Sequence, residues 1–153
     1  MMYFAYGSNL DFDRMHKRCA GAIFICRAVF PDFLLSITRK NMAGNGTADM
    51  VERTGRLVWG VVYDIPDSQV TSLNDAEGFK PSRLSNSYYP KTITVFVEGD
   101  ETKPMKAVTY FATKQPNPPL PSKQYLGYII NGAKYWNLPE HYVLWLSQFA
   151  TSS

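Results

Sequence analysis

Leu57-Val58-Trp59-Gly60-Val61-Val62-Tyr63-Asp64-Ile65 is an almost unbroken apolar run, rich in β-branched and aromatic residues and shut off by Pro66. Its length and composition predict a strand, and its continuous apolarity implies burial on both faces. Further strands are therefore needed around it. Candidates are Tyr3–Tyr6, Ala22–Phe30, Phe33–Thr38, Tyr88–Val97 and Met105–Ala112. Pro31-Asp32 is expected to end the second of these, and Asn41–Gly46 to form a flexible connection. The last two strands, joined at Gly99-Asp100, read as a hairpin.

Three helices are expected between and after the strands. The first spans Gln69–Glu77, with Asp67 or Ser68 as its N-cap and Gly78 as its stop. Ser122 caps the second, which runs to about Tyr135. The third starts with Pro139 in its first turn and runs to about Ala150, with Val143, Leu146 and Phe149 on one face. Thr113–Pro121 holds Pro116, Pro118, Pro119 and Pro121, so it is an extended loop. At 153 residues, 45% hydrophobic and 19% charged, the chain reads as one globular domain over residues 1–153.

The net charge of +3 is spread along the chain without a basic run, so neither a nucleic-acid partner nor a membrane patch is expected. No apolar run approaches the roughly 18 residues of a membrane span. No secretory leader is visible, and the protein is expected to be cytoplasmic. Cys19 and Cys26 match no zinc or C-x-x-C spacing and read as reduced thiols.

Two stretches carry chemistry. In MMYFAYGSNL a short β-type run stops at Gly7, Ser8 and Asn9, before a helix start that Asn9 or Asp11 can cap. Gly7 there either takes φ > 0 or lets another group approach the backbone. A strand, a tight turn and a helix start make a cradle for a carboxylate or phosphate. The turn is also consistent with a plain strand terminator.

The second stretch is the helix before Gly78, where Val70, Leu73 and Glu77 stand at i, i+3 and i+7 on one face. A carboxylate on an apolar stripe is costly to bury, and burial raises its pKa toward the range useful for proton transfer. The other reading is that Glu77 sits at a frayed helix end and reaches water. Asp75 turns toward the polar side. Ser8 lacks the G-x-S-x-G elbow and a partner His, which favours a hydrogen-bonding role over a nucleophile. His16 and His141 have no ligand or triad partners in pattern and read as structural.

Five ordered segments, YFAYGSNL, VWGVVYDI, LNDAEGF, PSKQYLGYIINGA and NLPEHY, together resemble the γ-glutamylcyclotransferase family from Tyr3 to Tyr142. The resemblance implies an α/β (α+β) fold, a small mixed β-barrel flanked by helices with a cavity at one end. It also implies release of 5-oxoproline and a free amine from a γ-glutamyl substrate, without metal or organic cofactor. By match to the motifs, Tyr6, Gly7, Ser8, Asn9 and Leu10 would hold the α-amino-carboxylate end, Glu77 would be the acid/base and Tyr125 a substrate-side hydroxyl.

Chemistry agrees with that assignment, because a γ-glutamyl group cyclises once its own α-amine is deprotonated and aimed at its γ-carbonyl. The expected partner is a small γ-glutamyl substrate, with a homodimer left open. Lys80–Ser87 looks longer than in members acting on γ-glutamyl amino acids and is expected to border the leaving amine. The alternatives are a γ-glutamylamine or γ-glutamyl-protected metabolite as substrate, a non-catalytic carboxylate-binding domain, or a partner-binding module built on Pro116–Pro121.

Overall fold

A computed structural model describes residues 1–152. Five strands close into a barrel in the order β1-β3-β2-β4-β5, where β1 is Met2–Ala5, β2 Ile23–Lys40, β3 Gly46–Asp64, β4 Tyr88–Val97 and β5 Pro104–Ala112. All neighbours are antiparallel except β1 and β5, which meet in parallel at Tyr3 and Val108 and seal the barrel. Helices α1 (Phe12–Arg18), α2 (Val70–Ala76), α3 (Lys123–Tyr135) and α4 (Glu140–Leu146) complete the fold. This is the small mixed barrel with flanking helices that the resemblance implies.

The apolar run at Leu57–Ile65 is the interior strand its pattern predicts. From Val58 to Tyr63 every residue is buried except the half-buried Trp59, because β1 and β2 flank it and side chains cover both faces. The strand is nevertheless longer than expected, reaching back to Gly46. Glu52, Arg53, Thr54 and Arg56 hide that half in the sequence, since they lie on an exposed stretch of ladder.

The break expected at Pro31-Asp32 is instead a bulge inside one 18-residue strand. Pairing shifts register between Pro31 and Phe33, Asp32 takes φ 62°, and its carboxylate accepts the Gly55 amide at 2.9 Å. Pro31 has no amide to give the ladder and is tolerated beside the bulge, where the unpaired residue lets β2 bend and continue. Asp32 tolerates the left-handed conformation because its short polar side chain bonds nearby backbone.

Helix ends also differ in detail. Neither Asp67 nor Ser68 caps α2 with its side chain; a 3-10 turn over Asp67–Gln69 follows Pro66, and the α-helix begins only at Val70. Its stop is as expected. Gly78 takes φ 69°, Phe79 N–H bonds Asn74 O, and Gly78 N–H bonds Asp75 O, which together close the last turn. The hairpin turn falls at Glu98 and Gly99, both with positive φ, one residue ahead of the expected Gly99-Asp100. α4 stops at Leu146 rather than near Ala150, where Ser147 bonds back to Val143 O and Ser152 N–H is tied to Pro121 O.

Candidate active site

The turn after β1 is a 3-10 turn over Ser8–Leu10, followed by α1, whose N-cap is Asp11 with its carboxylate on the Arg14 amide. Its carbonyls are engaged on the core side. Tyr63 Oη donates to Asn9 O at 3.1 Å, Trp136 Nε1 donates to Leu10 O at 3.0 Å, and Leu10 N–H and Asp11 N–H bond Gly7 O and Ser8 O. The opening amides of such a turn have no partner inside it, and those of Gly7, Ser8 and Asn9 meet no acceptor among the described residues.

Gly7 does not use the left-handed region; its φ is −106°. A side chain there would project toward Ala48 and the Tyr125 hydroxyl, so the glycine keeps space open beside the turn. Gly132 of α3 works from the other side. A Cβ at 132 would overlap the Leu10 carbonyl, and without one the helix lies flat against the turn.

Asn9 links the turn to the acid. It is 2% exposed; its Nδ2 donates to Glu77 Oε1 at 3.1 Å and to Tyr3 Oη at 2.9 Å, while its Oδ1 accepts from Arg18 Nη1 at 2.8 Å. An Asp at this position would set two carboxylates against each other.

Glu77 occupies the C-cap of α2 and turns inward beyond the fully buried Leu73, with 16% of its side chain exposed. The solvent-facing reading of this residue does not hold. Burial pushes its carboxyl above the ordinary range, and Arg18, Arg14 and the Asn9 hydrogen bond partly offset that push. The Arg18 guanidinium lies 3.9 Å from Glu77 Oε1. Arg14 Nε donates to Ser8 Oγ at 3.0 Å, which accounts for the Ser8 hydroxyl as a hydrogen-bond partner.

Glu77 faces a cavity in two parts, an open chamber of about 490 Å³ and an inner recess of about 30 Å³. Ser8, Glu77, Tyr88 and Tyr125 border both, so the two adjoin. Tyr6, Gly7 and Asn9 line the recess. The Tyr6 hydroxyl donates to Tyr110 O at 2.6 Å, and the Tyr125 hydroxyl accepts the Ala48 amide at 3.0 Å. Burial pushes the Tyr125 phenol up to about 12 and Tyr88 higher still, so both remain protonated donors at neutral pH.

The structure thus brings together Tyr6, Gly7, Ser8, Asn9, Glu77 and Tyr125. It does not bring Leu10 to the cavity: that side chain is fully buried in the core against α3. Asp75 is half exposed and pairs with Lys80 at 3.2 Å. His16 stacks on Phe12 and His141 is exposed on α4, both away from the cavity. Of Lys80–Ser87, expected to border the leaving amine, only Ser87 reaches the cavity wall; elsewhere the segment curls on itself, with Lys80 N–H and Arg83 Nε both on Asn86 Oδ1. Wall residues not singled out from sequence include Tyr3, Tyr88, Arg14 and Arg18. The arginines had a signal, since they stand four apart in the helix that leaves the turn and so share its cavity side.

Comparison with known proteins identifies the family. The AIG2-like family matches over residues 57–146. The γ-glutamylcyclotransferases of Mus musculus and Homo sapiens are 36% and 37% identical over 92% of this chain and 74% of their own length. The chain belongs to the γ-glutamylcyclotransferase family. A solved γ-glutamyl cyclotransferase structure, 32% identical, superposes on all of this chain and 89% of its own with a TM-score of 0.87. A Bacillus subtilis structure is 26% identical with a TM-score of 0.76, and this chain covers 56% of it.

Proposed function

We propose that the protein is a γ-glutamylcyclotransferase that releases 5-oxoproline and a free amine or amino acid, with Glu77 as its acid and base. The observation that carries this is Glu77 itself: a buried carboxylate aimed into a cavity and hydrogen-bonded, through Asn9, to a turn with free amides. A site that only bound carboxylates would gain nothing from a second negative group there.

The amides of Gly7, Ser8 and Asn9, with the Arg14 guanidinium behind Ser8, receive the substrate's α-carboxylate. That contact fixes the α-nitrogen near Glu77 and folds the γ-carbonyl back toward it. Tyr6 bounds the recess, and the Tyr125 hydroxyl offers a donor on the substrate side. Glu77 takes a proton from the α-ammonium, and the freed amine attacks the γ-carbonyl to close the five-membered ring. The old amide bond then breaks. Glu77 passes protons lost by the ring nitrogen to the departing nitrogen, so it ends in its starting state and no water is consumed.

The test is to incubate the purified protein with γ-glutamyl-alanine and its α-N-acetyl derivative while measuring 5-oxoproline. Product is expected from the first alone, because acetylation removes the nucleophile. Product from the acetylated compound would exclude cyclisation, and none from either would leave a binding site without this activity.

A pH prediction follows from the raised Glu77 pKa. The base must be ionised to act, so kcat/KM falls as the pH drops through the Glu77 pKa of the free enzyme. Its acid limb is expected above the ordinary carboxylate range, near 4.3. An acid limb at that ordinary value would show that the limiting base is another group.

A further inference from the structure

A second carboxylate is buried besides that of Glu77. Asp49 of β3 is fully buried, yet it borders neither part of the cavity. Its Oδ1 accepts the Met50 and Ala112 amides at 2.8 and 3.1 Å, and its Oδ2 accepts the Thr38 hydroxyl at 2.8 Å and lies 3.2 Å from the Lys114 ammonium. A buried carboxylate is costly unless its oxygens are paired, and both oxygens here are. The contacts join separate parts of the barrel: Thr38 is the extra residue at a register shift in β2, Ala112 ends β5, and Lys114 stands just beyond it.

The residue before Asp49 carries the link to the cavity. Ala48 N–H donates to Tyr125 Oη at 3.0 Å, and Tyr88 Oη donates to Ala48 O at 2.7 Å. An amide can only donate and a carbonyl only accept, so these contacts set the direction of each phenolic proton. Tyr88 spends its proton on the carbonyl. Tyr125 receives a hydrogen bond, keeps its own proton because burial raises its pKa, and presents that proton to the recess it lines with Glu77. The same strand segment faces the carboxylate-receiving turn, since a Cβ at Gly7 would stand 3.6 Å from the Ala48 Cβ and 3.9 Å from the Tyr125 hydroxyl.

We propose that Asp49 is a positioning residue for the reaction: by tying its stretch of β3 to β2 and β5, it holds the Ala48 amide where the Tyr125 hydroxyl must aim its proton at the γ-carbonyl oxygen of the substrate. This rests on the cyclotransferase reading and adds a residue that touches no substrate atom. As the α-amine attacks, the carbonyl oxygen gains negative charge. The Tyr125 O–H donates a hydrogen bond to it without giving up the proton, and that bond weakens again when the carbonyl re-forms and the amine leaves. A donor already aimed needs no reorganisation at the moment of reaction, which is what a fixed Ala48 supplies.

The experiment measures kcat and KM for γ-glutamyl-alanine in the parent, Asp49→Leu, Asp49→Asn, Tyr125→Phe and the double variant Asp49→Leu/Tyr125→Phe, with kcat referred to the folded fraction of each sample. Leucine fills the space and offers no acceptor, so kcat should fall by about 10- to 100-fold while KM stays near the parent's, because the carboxylate cradle is untouched. Asparagine keeps an acceptor for both amides and can turn its NH2 to Thr38 Oγ1, so it should recover most of that loss. Tyr125→Phe should lower kcat by about 100-fold, and in that background Asp49→Leu should cost less than about twofold more, since its effect runs through the missing hydroxyl. Should Asp49→Leu not fold, Thr38→Val removes one contact at constant shape and should lower kcat less, again only while the Tyr125 hydroxyl is present. Losses that multiply in the double variant, a raised KM in place of a lowered kcat, or an asparagine variant no better than the leucine one overturn the positioning role and leave the cyclotransferase standing. Absence of 5-oxoproline from the parent overturns both.

Discussion

Glu77→Gln lowers kcat for a γ-glutamyl substrate by about 100-fold or more, the effect of removing a general acid–base group. Glutamine keeps the length and the acceptor that Asn9 Nδ2 needs at 3.1 Å, so the cavity retains its shape. Stability should move the other way. A folded-state pKa above the unfolded one means that Glu77 contributes stability below the unfolded pKa and loses it as the pH rises through the folded value. Near pH 8 the parent holds a buried charge that the variant lacks, so the variant should melt higher than the parent there. The gain should shrink toward pH 4. Parent-like turnover would remove Glu77 from the mechanism, whereas low turnover with a lower melting temperature at pH 8 would point to a structural loss instead.

The reason the acid could be found from sequence is the same one that makes it functional. Val70 and Leu73 mark the inward side of α2, and a carboxylate in register with them has little alternative but the cavity once Gly78 closes the helix. Likewise the turn at Gly7 to Asn9 was legible from its residue types. Their joint meaning was not derivable from spacing: Asn9 and Glu77 lie 68 residues apart and meet only because β1 and α2 converge at one end of the barrel. The resemblance supplied that link before the geometry did.

What stayed hidden had polar or interrupted sequence. The stretch of β3 from Glu52 to Arg56 is exposed and lacks an apolar pattern, Thr47 and Asp49 are buried polar residues, and the bulge at Asp32 reads locally as a strand end. Leu10 was grouped with the site by match to the motif, yet its side chain is fully buried in the core against α3. Arg39 and Lys40 come to the chamber only through the long β2–β3 hairpin, so half of that hairpin had to be seen before they could be placed.

Gly132→Ala should damage both stability and activity, although it adds one methyl group far from the reacting atoms in sequence. The new Cβ would overlap the carbonyl carbon and oxygen of Leu10, which are backbone atoms and cannot rotate away. Neither side can give easily. Leu10 is fully buried with its carbonyl on Trp136 Nε1, and α3 is fixed by the Ser122 cap and by buried Leu126 and Ile129. Overpacking of this kind costs about 3 kcal/mol, at the upper end of the usual range, which corresponds to a melting temperature lower by roughly 6–12 °C for a chain of this size. Relief has to come from α3 or the turn moving, and the turn carries Asn9. A displacement of about 1 Å at a positioning contact lowers kcat/KM on the order of 100-fold even in the fraction that folds. Gly127→Ala is the matched control in the same helix. Its Cβ would meet nothing within 4 Å, so it should gain up to about 1 kcal/mol from helix propensity and keep the parent's kinetics. If the two alanine variants melt and turn over alike, α3 does not set the position of the turn, and the contacts of Asn9 with Tyr3, Arg18 and Glu77 hold it instead.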